Sequence, residues 1–301
     1  MRLSIIHAAI FLAGCAIWLP SISAVEPRDG GSRQAEDPTA EVNWHLDYSE
    51  AMAIARREGK MLLTFFDSPT DELCRRFEKE TLGDEQVRRK LQDYVCLKLP
   101  RDATISSDGK QITLLKHETF REMLGRPGVA IVDFAHQAPH LHGSVVSTFP
   151  LTEELYYTPR HMSVILDLPP GTLSQRTLIY AVRTHPESPA STSGRIDDFL
   201  LGEAKSHSRH QARIRLQGHH QWNTRFHRIN AKLGGGLTAS EVCAESWPGE
   251  NLVEAAVECV RCWRLSQGHW SAVRALHPVY GYDMKRGGNG VWYATGIFGR
   301  G

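Results

Sequence analysis

Residues 61–77 read MLLTFFDSPTDELCRRF, and this stretch decides the fold class of the first half of the chain. MLLTFF is a short apolar run of the kind that forms a buried β-strand. DELCRRFEKETL, from residue 71 onward, predicts a helix, and Asp71 is a residue type that satisfies the free N–H groups at a helix start. The stretch therefore predicts a strand followed directly by a helix.

The flanking segments extend this alternation. Upstream, Ala51, Ile54 and Ala55 recur at helical spacing, and Gly59 is a typical helix stop. Downstream, YVCLKLP predicts a strand, LLKHETFREML a helix and GVAIVDFA a further strand. Alternating strands and helices predict an α/β layer fold with a partly parallel sheet.

The pattern changes after the PPG sequence at residues 169–171. TLSQRTLIYAVRTH, IDDFLLGEAKSHSRHQARIRLQ and NLVEAAVECVRCWRLS each predict a helix, and the glycine-rich turn at residues 287–290 predicts a β-hairpin near the end. We therefore expect two domains, residues 41–170 and 171–301, with the boundary at Pro169 to Gly171.

Composition limits the function classes. The chain has 301 residues, 41% hydrophobic and 23% charged, which is typical of two globular domains. A net charge of +1 gives no support for a general nucleic-acid or anionic-membrane binder. The 15 histidines justify a search for a metal or acid–base cluster.

The N-terminus predicts export. Arg2 precedes the apolar run from Ile5 to Leu19, and small residues end at Ala24, so residues 1–24 are expected to be a signal peptide. Residues 25–40 are polar and predict a flexible tether. The sequence LAGC, ending at Cys15, leaves open a bacterial lipoprotein anchored at that cysteine. No later run approaches the roughly 20 apolar residues of a membrane span, so we expect a periplasmic or extracellular protein without a transmembrane segment.

The first half resembles the exported thioredoxin-like families. The resemblance rests on Trp44, the helix ending in Glu-Gly-Lys, the strand MLLTFF, the helix at DELC and the segment GRPGVAIV. It implies a thioredoxin-like α/β/α domain, with Pro127 as the cis-proline that faces the active site. The family's Cys-x-x-Cys pair is reduced here to Asp71-Glu72-Leu73-Cys74.

Chemistry in that family needs the first cysteine, because the helix N-terminus lowers its pKa and makes it the nucleophile. Cys74 occupies the place of the second, buried cysteine. Three interpretations stay open for it: a packed core residue, a monothiol redox site, or a bridge to Cys96. The first predicts a redox-inactive scaffold.

The second half resembles the CAP superfamily, also called SCP-like, of cysteine-rich secretory, antigen 5 and pathogenesis-related proteins. The matching segments are EVCAESW (241–247), CWRLSQGHWSAV (262–273) and YGYDMKRGGNGVWYATGIFG (280–299). The resemblance implies an α-β-α sandwich with a cleft in which His219, Glu245 and His269 converge. Ser266 stands where eukaryotic members carry a second glutamate.

This implied cleft has three interpretations. His219, Glu245 and His269 are candidate ligands for Zn²⁺ or another divalent cation, because two imidazoles and a carboxylate leave one position for water. Glu245 and His269 are also candidate catalytic residues for acid–base chemistry without a metal. The third interpretation is that Glu245 and His269 bond to each other and hold the core together.

Three cysteines of the second half are candidates for a disulfide. Cys259 and Cys262 lie one helical turn apart, and Cys243 belongs to the segment that carries Glu245. Because an exported protein permits disulfides, we expect a bridge from Cys243 to Cys259 or Cys262.

These observations predict an exported two-domain binding protein, with a redox-inactive scaffold and a His/Glu cleft for a small molecule, a peptide or a cell-envelope component. One alternative is a metal-assisted hydrolase that uses the same cleft. A second alternative is a monothiol redox protein that acts through Cys74. The sequence leaves open whether the protein is an enzyme.

Overall fold

The computed structural model describes residues 41–107 and 110–301. The predicted signal peptide, the tether and the alternative lipid attachment at Cys15 all lie outside the described residues. Within the described ranges, every helix is too short or too polar to cross a bilayer.

A five-stranded sheet forms the centre of the first half, in the order β1-β3-β2-β6-β7. The strands β1, β3 and β2 are parallel, whereas β6 and β7 run antiparallel to their neighbours. All six residues of the central strand β2 are buried, as its apolar run predicts. The strands are β1 (Trp44–His45), β2 (Leu62–Asp67), β3 (Val95–Pro100), β6 (Gly128–Asp133) and β7 (Ser144–Pro150), with the separate hairpin β4 (Thr104–Ser107) and β5 (Lys110–Thr113).

Two helix boundaries of this half lie at residues that the sequence predicts, Gly59 and Asp71. Asp47 caps the first helix by accepting a hydrogen bond from the Glu50 N–H, and Gly59 ends it in a left-handed conformation with φ of 61°. Asp71 caps the second helix in the same way. The helices are α1 (Tyr48–Glu58), α2 (Glu72–Arg76), α3 (Glu85–Leu91) and α4 (Pro159–Leu166), and a π-helical turn (Phe77–Leu82) continues α2.

The segment LLKHETFREML is not an α-helix, which corrects the prediction. It forms two 3₁₀ helices, Leu114–Lys116 and Glu118–Met123. The His117 ring accepts a hydrogen bond from the Thr119 N–H, and Phe120 takes non-helical angles. This hydrogen bond to the His117 side chain competes with α-helical hydrogen bonding. A second 3₁₀ helix therefore begins after residue 117.

A four-stranded sheet in the order β8-β10-β11-β9 forms the centre of the second half. The helices α6 and α7 pack on one face, and α5 and α8 pack on the other. The hairpin predicted at residues 287–290 joins β10 to β11. The elements are α5 (Leu173–Thr184), β8 (Arg195–Ile196), α6 (Asp198–Ile214), α7 (Trp222–Leu233), β9 (Thr238–Glu245), α8 (Leu252–Leu265), α9 (Gln267–Arg274), β10 (Val279–Arg286) and β11 (Trp292–Arg300).

Gly281 sets how closely α6 approaches this sheet. A Cβ atom at residue 281 would lie 2.4 Å from the carbonyl carbon of Leu200. Only glycine permits that approach, which holds α6 directly over β10.

One hydrophobic core continues from the first sheet into the second half. The rings of Phe149 on β7 and Tyr180 on α5 pack with centroids 4.8 Å apart. The fully buried Arg176 donates from Nε to Ser147 Oγ at 2.9 Å and from Nη1 to the Leu168 carbonyl at 2.8 Å. The two sheets and their packed helices confirm the α/β class. The domain boundary at residues 169–171 stays a prediction.

Candidate functional site

Cys74 is a buried thiol at the start of α2. Its Sγ donates to Asp67 Oδ1 at 3.3 Å and accepts from the Ser68 N–H at 3.3 Å. Burial raises the pKa of Cys74 to about 12; the Asp67 charge adds to this, and the Ser68 hydrogen bond opposes it. The thiol therefore stays protonated at neutral pH and lacks the thiolate that redox exchange needs. Cys96 is likewise buried and free, with Sγ 3.5 Å from the Leu91 carbonyl oxygen.

Pro127 is not a cis-proline, because the described chain contains no cis peptide bond. The neighbouring backbone is satisfied in the trans form: the Arg126 N–H donates to the Met123 carbonyl at 2.9 Å, and the Pro127 carbonyl accepts from the Leu151 N–H at 2.8 Å. Gly128, with φ of 137°, makes the change of direction into β6. The ordinary trans isomer therefore fits this turn.

The prediction of a disulfide in the second half is wrong, because Cys243, Cys259 and Cys262 are all free thiols within the described part of the chain. Cys243 lies on β9 and its Sγ is 3.8 Å from His219 Nδ1. Cys262 instead turns toward the carbonyl of Glu245 and the carboxylate of Glu258. Cys259 is buried on the core side of α8. The three thiols thus point into different surroundings.

Two histidines that are 50 residues apart in the chain meet at the edge of the second sheet. His219 lies in the loop between α6 and α7, and His269 lies in the first turn of α9. Their Nε2 atoms are 3.2 Å apart. The side chain of His219 is 41% exposed, so solvent reaches the pair. Burial, and next the charge of His219, lower the pKa of His269, which favours its neutral form.

Glu241 on β9 contacts His219 at Nδ1, the ring nitrogen that does not face His269. The carboxylate accepts from His219 Nδ1 at 3.0 Å and pairs with Arg225 of α7 at 2.5 Å. Burial acts to raise the pKa of Glu241, but the hydrogen bonds from His219 and Arg225, with the charges of His207 and Arg225, outweigh it and lower that pKa. An ionised Glu241 fixes the proton of His219 on Nδ1 and leaves Nε2 as a lone-pair donor toward His269.

His207 of α6 completes the inner side of this group. Its Nε2 donates to the Gly218 carbonyl at 2.9 Å and lies 3.8 Å from Glu241 Oε1. Burial lowers the pKa of His207 to about 4, so this ring is neutral near pH 7. His207, Glu241 and Cys243 offer donor atoms within 4.8 Å of one another. His207, Glu241 and Cys243 thus form a second layer of potential metal ligands on the inner side of the pair His219–His269.

Glu245, the carboxylate predicted from the sequence, is not the one that contacts the histidines. It ends β9 as an exposed residue, and its backbone carbonyl accepts a hydrogen bond from Cys262 Sγ at 3.8 Å. Glu241, Cys243 and Glu245 are every second residue of β9, so their side chains lie on the same face of the strand. That alternation was the signal available for Glu241, whereas Arg225 and His207 carried no signal beyond their residue types.

The geometry of the histidine pair suits a metal ion. Two Zn–N bonds of 2.0–2.1 Å at a tetrahedral angle place the nitrogens about 3.3 Å apart. The two Nε2 atoms are 3.2 Å apart, a separation that fits both this arrangement and a hydrogen bond between the two rings. His219 and His269 could therefore share one cation with little movement, with Glu241 as the carboxylate that orients His219.

Comparison with known proteins supports the interpretation of the first half. Residues 43–133 match a family described as thioredoxin-like. No curated protein matches the chain significantly. Among solved structures, an outer surface protein from Borrelia burgdorferi is similar at 22% identity and a TM-score of 0.29, over 36% of this chain and 77% of its own. The chain therefore contains a thioredoxin-like domain, and the CAP-like resemblance of the second half stays a prediction.

Proposed function

We propose that this is an exported binding protein whose His219–His269 pair holds a divalent cation, with zinc as the best candidate. The observation that carries the proposal is the 3.2 Å distance between the two Nε2 atoms, combined with the Glu241 contact to His219. The signal-like N-terminus supports export, and the CAP-like sequence pattern supports a cleft at this place.

The cation would serve as the contact point for a ligand. Two histidines fill two positions of a tetrahedral ion, so two positions stay open toward the exposed side of His219. Oxygen or nitrogen atoms of a small molecule, a peptide or a cell-envelope component could occupy them. The first half serves as a scaffold, because its buried Cys74 has no partner cysteine in the described chain.

A hydrolytic role for the same centre has weaker support. Activation of a metal-bound water needs a carboxylate that is available as a base. The carboxylate of Glu241 is already bound by His219 and Arg225. The contacts at the centre thus favour binding over hydrolysis.

Metal analysis tests the proposal. The purified protein is stripped with a chelator, loaded with zinc, desalted and measured by mass spectrometry for zinc per chain. We expect about one zinc in the unaltered protein and a loss in His219→Ala and in His269→Ala.

The matched control is His227→Ala, which removes a histidine of α7 that lies outside the cluster. Its zinc content should equal that of the unaltered protein. Equal zinc in all four proteins would refute the assignment of the two ligands. Absence of zinc from the unaltered protein would refute the proposal itself.

A further inference from the structure

A cleft lies where the first half meets helices α5 and α6, and its lining residues belong to the segments 136–141, 170–175 and 198–205. Its volume is about 460 Å³, which is within the range of small-ligand sites. One wall is the loop after β6, with His136 and His140, and another wall is the N-terminal half of α6, with Asp198, Gly202 and Lys205. Such clefts between packed units are common places for ligands.

The loop wall is fixed before any ligand arrives. The carboxylate of Asp133 is completely buried and binds His136 Nδ1 at 2.9 Å. Its Oδ1 also accepts from the N–H groups of Ala135 and His136, each at 3.0 Å. His136 is therefore held by Nδ1, and its Nε2 edge, opposite Asp133, is left for other partners.

The helix wall carries one cation and one anion, Lys205 and Asp198, which both line the cleft. Among the residues that the structure describes, neither side chain forms an ion pair or a hydrogen bond, and the charge of Lys205 acts from a greater distance on the buried carboxyl of Asp283. Lys205 and Asp198 are seven residues apart, so they share one face of α6 and lie about 10 Å apart along its axis. A ligand with a carboxylate at one end and an ammonium at the other matches this arrangement.

Gly202, between these two charges, is unexplained by packing within the chain. A Cβ atom at residue 202 would meet nothing within 4 Å. Glycine inside a helix costs roughly 0.5–1 kcal/mol relative to alanine. Gly202 is exposed and lines the cleft, so a large side chain at residue 202 would extend into the space that an occupant would fill.

We propose that this cleft binds a short zwitterionic peptide along α6. The ligand's C-terminal carboxylate pairs with Lys205 and its N-terminal ammonium pairs with Asp198. An extended peptide spans about 3.3–3.6 Å per residue, so the separation of the charges corresponds to roughly three residues. The peptide backbone passes over Gly202 and meets the free ring edge of His136.

Calorimetry with three alanine tripeptides tests this proposal on the full chain. One tripeptide has free termini, one is N-acetylated and one is C-terminally amidated. The free form should bind at millimolar concentration or below, and each blocked form about tenfold more weakly, because each block removes one charge contact.

Variants connect each peptide terminus to one residue. In Lys205→Gln the free and amidated peptides should bind equally, and in Asp198→Asn the free and acetylated peptides should bind equally. Lys232→Gln, an exposed lysine of α7, is the matched control and should behave as the unaltered protein. Gly202→Leu should abolish binding and leave the melting temperature unchanged or higher, because it fills the cleft and improves the helix.

Three results would overturn the proposal: no binding of the free tripeptide, binding that survives Gly202→Leu, or equal affinity for all three peptides. The zinc content of Gly202→Leu should be unchanged. The outcome here is therefore separable from that of the zinc experiment, since either site can fail alone.

Discussion

The carboxyl group of Asp283 on β10 should make the protein less stable as the pH rises through the mildly acidic range. The residue is 4% exposed. Its Oδ1 accepts from Ser174 Oγ at 2.7 Å and from the Met284 N–H at 2.8 Å. Burial raises the pKa of Asp283 from 3.8 to about 6, against the opposing effects of these hydrogen bonds and of Lys205 and Lys285.

The sign and size follow from linkage. The folded state holds the proton more tightly than the unfolded state, so the contribution of Asp283 to stability is full below pH 3.8. It is lost as the pH rises through about 6. The difference of about two between the pKa values of the folded and unfolded states corresponds to roughly 3 kcal/mol in the free energy of unfolding.

Asp283→Asn tests this prediction, because an amide keeps the Oδ1 acceptor for Ser174 and Met284 and removes the ionisation. The free energy of unfolding is measured by urea denaturation from pH 4 to pH 8 for the unaltered protein and for the variant. The variant should gain up to about 3 kcal/mol relative to the unaltered protein between these limits.

The informative quantity is the change of this difference with pH, because other titrating groups contribute equally to both proteins. Asp102→Asn, a substitution at an exposed aspartate, controls for the loss of a carboxylate as such and should give a flat difference. A flat difference for Asp283→Asn as well would refute the argument that burial keeps this carboxyl protonated.

Three further predictions concern other parts of the protein. Glu241→Gln should weaken zinc binding about 10–100-fold without removing it, measured by competition with a chelating dye, because it loosens the orientation of His219; unchanged affinity would contradict this role. Cys74 should resist iodoacetamide in the native protein at pH 8 and react only after unfolding, since its pKa is raised to about 12; rapid native labelling would restore a redox role. Gly281→Ala should lower the free energy of unfolding by about 2–3 kcal/mol in urea denaturation, because its Cβ would collide with the backbone of Leu200; a neutral effect would show that α6 can shift.

Short-range features were readable from the sequence because they depend on neighbouring residues. The apolar run of β2, the stop at Gly59 and the cap at Asp71 all form as predicted. The prediction of a single helix at residues 114–124 is wrong, because the apolar spacing suits a helix but the hydrogen bond to the His117 side chain interrupts it. The trans peptide bond at Pro127 was likewise not predictable from neighbouring residues, because the isomer depends on the turn into β6.

The candidate site shows the same division. Sequence alone identified His219, His269 and the segment 241–247 that carries the acidic residue. Glu241 and Glu245 lie on the same face of β9, so their sequence positions do not distinguish them. Which of the two carboxylates contacts His219 depends on the position along β9 at which the loop between α6 and α7 packs.

The sequence by itself determined the α/β class, the thioredoxin-like domain at residues 43–133 without its cysteine pair, and the two histidines. Only the tertiary structure decided that Glu241 contacts His219, that the thiols of Cys243 and Cys262 stay apart, and that Lys205 and Asp198 line one cleft. The physical reason is that strand and helix formation depend on local residue patterns. Ligand geometry depends on contacts between segments distant in the chain, which packing alone brings together.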